Sequence, residues 1–246
     1  MIAGLETGQF ALIAAAAFTA GLVRGFSGFG TAMIYLPIAG QVLSPFAAIT
    51  TLVLMDIVSP LPNAPRAWRE GEPKDLIRLG TGFVIALPLG IWLLTQVPAE
   101  VFRYAVSGVA LVLLLCLGLG LRYRGNLGRP MIFGTGLLSG ITAGTAGLPG
   151  PPVILLYMTS ARPSQVVRAN TLLYLILSDT VILPTLALFG RLDGGAILLG
   201  LLMILPCGAG NILGARFFRP GHEGLYRRVA YALIALSAIS GLPLWD

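Results

Sequence analysis

The sequence predicts an all-α integral membrane protein built from two inverted repeats, each a re-entrant or broken helix hairpin plus three transmembrane helices. Three observations lead to this prediction: the composition, the number of apolar runs and an internal duplication. Of the 246 residues, 56% are hydrophobic and 11% are charged, whereas a soluble domain carries about 25% charged residues. The net charge of +6 comes from cations in short loops, which indicate membrane orientation rather than a nucleic-acid partner.

Eight apolar runs divide the chain, and most have about 17 to 25 residues, the length that crosses a hydrocarbon core of about 30 Å. We expect a single transmembrane domain over residues 1–246, with repeat one at about 8–124 and repeat two at about 129–246. The runs are Phe10–Val42, Phe46–Pro62, Leu76–Gln96, Val101–Leu121, Met131–Thr159, Val166–Phe189, Ala196–Phe217 and Leu225–Leu242.

The first and fifth runs are too long for a single crossing. As straight helices they would extend about 50 Å and about 43 Å, and each contains a glycine-rich stretch, Gly21–Gly30 or Gly136–Gly147. Each is therefore predicted to form two half-helices around a break. A break at membrane depth is tolerated where it lines a cavity or is buried in protein, and paired breaks in a duplicated chain indicate the substrate site of a secondary transporter. The alternative is close helix packing through small residues.

The two halves match at several positions. Gly21 and Gly25 match Gly136 and Gly140, Asp56 matches Asp179, and the Leu-Pro-x-Gly sequence at 87–90 recurs at 205–208. These matches indicate a duplication of four apolar runs per half.

The distribution of cations indicates whether the halves are parallel or inverted. If all eight runs cross the membrane, the loops on the two sides hold eight and seven cations, which gives no bias. If the fifth run is re-entrant, one side holds thirteen cations and the other holds only Arg103 and Arg191, as the positive-inside rule requires. We therefore predict a re-entrant fifth run, extend it to the first run by repeat symmetry, and expect both termini to be periplasmic. The thirteen are Arg66, Arg69, Lys74, Arg78, Arg122, Arg124, Arg129, Arg162, Arg168, Arg216, Arg219, Arg227 and Arg228.

The breaks offer a binding site for an anion. Backbone N–H groups at the start of a half-helix carry about half a positive charge, and glycines let a ligand approach the backbone closely. Hydroxyl groups beside the glycines would add donors, although local capping of the broken helices is an equally good explanation for them. The predicted substrate-binding residues at the breaks are Gly25, Ser27, Gly28, Gly30, Thr31, Thr142, Gly144, Thr145 and Gly147.

Two arginines and an asparagine complete the predicted binding set. Arg24 lies beside the first break in an otherwise uncharged run, and its guanidinium could donate two hydrogen bonds to an oxoanion. The alternative is that Arg24 only reaches water at a hydrated hairpin tip. Arg168 and Asn170 open the sixth run. Arg168 could face the second break or simply mark the membrane interface.

Asp56 and Asp179 occupy matching positions within apolar runs. An unpaired buried carboxylate costs several kcal/mol unless it is protonated or paired. We consider two roles for these residues, proton carriers that couple transport to the proton gradient or structural partners of Arg24 and Arg168.

The sequence contains no paired metal-ligand spacing, Ser/His/Asp set or nucleotide-binding motif. Cys116 and Cys207 lie within apolar runs and are expected to fill space in the core. We therefore expect no cofactor and no enzymatic activity.

The two break regions resemble those of the TauE/SafE sulfite exporter family, also described as toluene-sulfonate uptake permeases. The resemblance rests on Gly25-Phe-Ser-Gly-Phe-Gly-Thr-Ala-Met-Ile-Tyr-Leu-Pro37 and Gly144-Thr-Ala-Gly-Leu-Pro-Gly-Pro-Pro-Val-Ile-Leu-Leu156. It implies secondary transport of sulfite, sulfonates or sulfoacetate across the bacterial inner membrane. Family members often carry Gly-Ile-Gly-Gly-Gly at each break, and this chain departs from that pattern, which leaves the substrate and the direction open.

The expected function is a proton-coupled secondary transporter for a small sulfur-containing oxoanion, working by alternating access. The nearest alternatives are an anion channel and a carrier for a non-sulfur carboxylate. A membrane-embedded enzyme or a scaffold is a more distant alternative. The expected partners are a small anion and the lipid bilayer, and the oligomeric state, monomer or homodimer, is open.

Overall fold

The computed structural model describes residues 5–119, 127–158, 160, 162–217 and 223–244, and these residues form α-helices joined by short loops. A 3-10 turn, Leu61–Asn63, precedes α4. The helices are α1 Thr7–Ser27, α2 Thr31–Ala39, α3 Pro45–Asp56, α4 Ala64–Glu70, α5 Pro73–Thr95, α6 Ala99–Gly118, α7 Arg129–Ala146, α8 Gly150–Met158, α9 Ser164–Leu188, α10 Gly194–Phe217 and α11 Glu223–Gly241.

The chain is a multi-pass membrane protein. Among the described residues, five helices (α1, α5, α6, α9 and α10) are long and apolar enough to cross a membrane, and a sixth span results if α3 and residues 61–70, which meet at 48°, are taken together. Large apolar side chains such as Leu115 and Leu205 are exposed on these helices, as expected of a surface that faces lipid. Helices α2 and α8 have nine residues each, or about 13 Å, which is too short to cross.

Both long apolar runs are broken, as the sequence predicts, but each break is much shorter than its glycine-rich stretch. The first spans residues 28–30 and the second residues 147–149. Gly28, Gly30 and Gly147 have φ of 80°, 103° and 67°, a left-handed conformation that costs an L-residue about 1–2 kcal/mol. The predicted break over Gly21–Gly30 is therefore corrected to its last three residues, and the one over Gly136–Gly147 is corrected to residues 147–149, which begin at the last residue of that stretch.

The other glycines of these stretches lie inside helices and allow close packing. On α1, a Cβ at Gly21 would lie against the carbonyl oxygen of Cys207 on α10. On α7, a Cβ at Gly140 would lie 2.6 Å from the carbonyl oxygen of Phe83 on α5. Small residues that bring backbones together are the usual device for helix association in membranes, so the packing explanation holds at these positions.

The two close helix pairs run parallel. Gly136, Gly140 and Gly144 of α7 contact Leu79, Phe83 and Gly90 of α5 in the same order. Phe18, Leu22 and Gly25 of α1 likewise contact Gly210 and Gly214 of α10 in increasing order. Each broken hairpin is therefore attached along its first helix to a long helix from the other half of the sequence.

The loops lie at two ends of the molecule. Helix α5, about 34 Å long, runs from one end to the other. At the start of α5, Arg162 forms ion pairs with Glu72 and Asp75, and we call this the Arg162 end. Burial by itself would lower the pKa of Arg162, but the two carboxylates outweigh this effect and raise the pKa. Just beyond the end of α5, Arg103 donates to the Gly241 carbonyl oxygen, and we call this the Arg103 end.

The two hairpins enter from opposite ends. Helix α7 starts beside the beginning of α5, and α8 leads back to Arg162, so α7 and α8 start and finish at the Arg162 end. Helix α2 leads to Gln41, which donates to the Ser240 carbonyl oxygen beside Gly241. Arg191, just before α10, lies over the ring of Phe46, just after the α2–α3 loop. Helix α10 and its parallel partner α1 therefore begin at the Arg103 end.

The cations gather at one end. Arg103 and Arg191 lie at the Arg103 end, and Arg122, Arg124, Arg219 and the side chain of Arg227 lie outside the described part of the chain. The described cations on loops and helix termini at the Arg162 end are Arg66, Arg69, Lys74, Arg78, Arg129, Arg162, Arg168, Arg216 and Arg228.

Candidate functional site

A cavity lies where the two breaks meet. It combines residues from the first break, the second break, α3 and α9. About 50 Å³ is open to the centres of water-sized atoms, and one water needs about 10–15 Å³ on this scale, so the cavity has room for a few waters or one small oxoanion. Its lining consists of Arg24, Gly28, Phe29, Gly30, Thr31, Ala32, Met33, Leu52, Val53, Asp56, Gly147, Leu148, Pro149, Gly150, Pro151, Ile154, Leu175, Asp179 and Ile182.

The two half-helices that begin at the cavity differ in the donors they offer. Helix α2 begins at Thr31, with no side-chain cap on its first N–H groups, which leaves backbone donors at its positive end. Helix α8 begins Gly150-Pro151-Pro152, and proline has no N–H. The first break therefore supplies more backbone donors for an anion than the second.

Arg24 is the cationic group of the cavity. Its Nη1 donates to Asp56 Oδ1 and, at 3.2 Å, to Thr31 Oγ1. The side chains of Arg24 and Asp56 are 12% and 13% exposed, so this ion pair is largely shielded from water while it still lines the cavity. The structure thus joins three predicted residues from α1, α2 and α3.

Asp179 lines the same cavity from α9. It is 6% exposed, and none of the ion pairs among the described residues includes it. The two matching aspartates therefore have different surroundings, because Asp56 is held by a guanidinium and Asp179 is not.

Three of the predicted hydroxyl groups bond to nearby backbone and do not line the cavity. Ser27 Oγ donates to the carbonyl oxygens of Val23 and Phe29 at 2.7 and 2.8 Å. Thr142 Oγ1 donates to the Leu148 carbonyl oxygen at 2.9 Å, and Thr145 Oγ1 donates within its own helix. These contacts are the ones expected if the hydroxyl groups cap the broken helices. Of the predicted hydroxyl groups, that of Thr31 lines the cavity.

Among the predicted glycines, Gly28, Gly30 and Gly147 line the cavity. Gly25 and Gly144 instead lie in the close helix contacts, where a Cβ would meet the backbone of α10 or α5.

Arg168 and Asn170 lie away from the cavity lining. Arg168 is exposed on α9. Asn170 is fully buried, accepts from the backbone N–H of Glu72 at 2.7 Å and donates to the Tyr157 hydroxyl at 3.1 Å. It thereby joins α9 to α8 and to the start of α5.

Sequence reasoning missed the residue that matches Arg24 in the second half, Ser139. Its hydroxyl donates to the Pro149 carbonyl oxygen and accepts from the Tyr174 hydroxyl at 2.6 Å. At the position where the first half has the cation Arg24, the second half has Ser139, which hydrogen-bonds to the backbone of the second break. The alignment of Gly21 and Gly25 with Gly136 and Gly140 already contained this signal.

The polar groups of the site are one cation, two carboxylates and a few hydrogen-bond donors. No cluster of three or more His, Cys, Asp or Glu residues suited to a metal occurs among the described residues. The cavity provides one guanidinium, one hydroxyl, the start of α2 and two carboxylates, enclosed by apolar side chains.

Comparisons with known proteins extend this result. The family model described as "Sulfite exporter TauE/SafE" matches residues 13–241. A curated relative from Cupriavidus necator (strain H16), named "Probable sulfite/organosulfonate exporter TauE", is 27% identical over 231 residues, which cover 88% of each chain. No solved structure matches the chain significantly.

Proposed function

The chain belongs to the TauE/SafE sulfite exporter family, and from this premise we propose that it is a secondary transporter for sulfite or a small organosulfonate. The family consists of transporters rather than enzymes. The observation that carries the proposal is the cavity between the two broken helices, with Arg24 in its wall. We place the protein in the bacterial inner membrane.

The proposed substrate contacts are concentrated at the first break. The Arg24 guanidinium can offer two N–H groups to an oxoanion. Thr31 adds a hydroxyl, and the uncapped start of α2 adds backbone N–H groups. Gly28, Gly30 and Gly147 allow the backbone to approach the ligand, and the small cavity favours a compact anion.

We propose that the two halves are inverted repeats with both termini in the periplasm. The entry of the two hairpins from opposite ends supports inversion. The cations at the Arg162 end support a cytoplasmic location for that end by the positive-inside rule. Because α1 begins and α11 finishes at the Arg103 end, the termini would then be periplasmic.

The proposed mechanism is alternating access. Each broken hairpin would move with the long helix to which its glycines attach it, so that α1 and α2 move with α10 and α7 and α8 move with α5. Relative motion of these two units would open the cavity to one side of the membrane and then to the other. The coupling proton would be carried by one of the two carboxylates in the cavity, Asp56 or Asp179.

Uptake into proteoliposomes tests the transporter proposal. Purified protein should accumulate radiolabelled sulfite or methanesulfonate against its gradient when a proton gradient is imposed, and a protonophore should abolish accumulation. Arg24→Ala should remove uptake, whereas Arg69→Ala, an exposed arginine on α4, should retain it. Downhill flux that is insensitive to the protonophore would instead indicate a channel, and accumulation of a carboxylate such as acetate in preference to both sulfur anions would indicate a different substrate.

A further inference from the structure

Arg24, the cation proposed to bind the substrate, already has an anionic ligand. Its Nη1 donates to Asp56 Oδ1, and both residues line the cavity between the breaks. An oxoanion that enters the cavity therefore meets a guanidinium whose charge is balanced by the protein itself. It can take the place beside Nη1 only if the Asp56 carboxylate gives up its hydrogen bond there.

The charges around Asp56 make a simple addition of the substrate unfavourable. The titratable groups that interact with this site are Arg24 on α1, Asp179 on α9 and the buried Cys207 thiol on α10. With both carboxylates ionised, the cavity holds one cation and two anions. A further anion in a site shielded from water would add repulsion that the single guanidinium cannot offset.

We propose that Asp56 is an internal ligand of Arg24 that the substrate replaces, and that Asp56 takes up one proton as it is displaced. This inference rests on the proposed function. The proton comes from solution and bonds to a carboxylate oxygen of Asp56, while the oxoanion takes the place of that carboxylate on the guanidinium. When the anion leaves, Asp56 releases the proton and pairs again with Arg24, so the net charge of the site is the same in the empty and occupied states for a singly charged substrate.

The structure assigns this role to Asp56 rather than to Asp179. Asp179 lines the cavity and forms no ion pair with another described residue, so among these residues it does not occupy a cation that the substrate would bind. In the second half, the position that matches Arg24 is Ser139, whose hydroxyl donates to the Pro149 carbonyl oxygen and accepts from the Tyr174 hydroxyl. Among the described residues, an exchange of one anion for another is therefore available at Arg24 and not at the matching position in the second half.

The test measures proton uptake when methanesulfonate binds to the purified full-length protein. Isothermal titration is carried out at several pH values, and at each pH in two buffers that differ in ionisation enthalpy. For the unmodified protein we expect about one proton taken up per anion. Because binding then consumes a proton, the affinity for methanesulfonate should fall with rising pH, by up to about tenfold per pH unit. Asp56→Asn should bind at least about tenfold more tightly at the highest pH, with no proton uptake and no pH dependence.

Two acid-to-amide controls isolate the role of Asp56. Asp179→Asn should keep the proton uptake, because Asp56 remains. Glu100→Gln, at an exposed position, should behave as the unmodified protein does. If Asp56→Asn does not fold, the unmodified protein and Asp179→Asn still decide the matter, since uptake in both supports the proposal and its loss in Asp179→Asn overturns it.

The outcomes separate this inference from the proposed function. Binding without proton uptake, or uptake that persists in Asp56→Asn, would overturn the internal-ligand role and leave the sulfonate site intact. No binding to either the unmodified protein or Asp56→Asn at any pH would overturn both.

Discussion

The Arg24–Asp56 ion pair leads to a quantitative prediction about stability. Both side chains are nearly buried, at 12% and 13% exposure, and removal of one partner from a buried pair typically costs about 3–5 kcal/mol because a charge is left without compensation. We therefore expect Arg24→Met and Asp56→Leu each to lose about 3 kcal/mol or more. The double variant replaces both charges with apolar groups, and its free energy of unfolding should lie within about 1 kcal/mol of that of the unmodified protein.

Thermal unfolding in detergent provides the assay. In a Cys116→Ala background a thiol-reactive dye can follow it, since the remaining cysteine, Cys207, is 1% exposed in the folded protein and reacts only when the protein opens around it. For a chain of this size, 1 kcal/mol shifts Tm by about 2–4 °C, so the single variants should unfold at least about 6 °C below the unmodified protein. The double variant should recover most of that difference but should not bind methanesulfonate.

A second ion pair serves as the matched control. Arg66 and Glu70 form an i,i+4 pair at the surface, with Arg66 77% exposed. The same set of single and double variants there should show no comparable coupling, since exposed pairs are screened by water. If the losses of unfolding free energy in Arg24→Met and Asp56→Leu simply add in the double variant, the two charges are energetically independent and the prediction is wrong.

Three further predictions concern packing, topology and selectivity. Gly136→Ala should markedly lower Tm, because its Cβ would meet a carbonyl oxygen of α5, whereas Gly134→Ala has open space and should not; equal effects would contradict the packing account. In a background without native cysteines, an impermeant thiol reagent should label Arg69→Cys and Ser164→Cys from one face of the membrane and Glu100→Cys from the other, and labelling of the first two from opposite faces would exclude the re-entrant α7–α8 hairpin. In calorimetric titrations, singly charged methanesulfonate should bind more tightly than doubly charged sulfoacetate, because the cavity holds one arginine and two carboxylates; the reverse order would argue against charge balance as the basis of selection.

The candidate site shows which functional signals could be read from the sequence. Arg24, Asp56 and Asp179 were recognisable because a charge within an apolar run is costly and must have a partner or a function. The structure brings all three to one cavity. It does not bring Arg168 there, because that residue lies at an exposed turn of α9, and the adjacent Asn170 joins helices instead. A charge at the end of an apolar run has water nearby, so its presence alone carries much less information.

The glycines show why sequence alone could not define the breaks. The same residue type serves two purposes here, a left-handed turn at Gly28 or Gly147 and close helix packing at Gly21 or Gly136. The first depends on local backbone conformation. The second depends on residues far away in sequence, such as Cys207 beside Gly21, so no local pattern distinguishes them.

The sequence by itself determined the all-helical membrane character, the two interrupted runs and the presence of buried charges, because hydropathy and run length are local properties. Tertiary structure alone decided which glycines turn the chain, which hydroxyls face the cavity and which aspartate holds Arg24. These choices depend on contacts between segments distant in sequence. In a medium without water, such contacts are the means by which polar groups are satisfied.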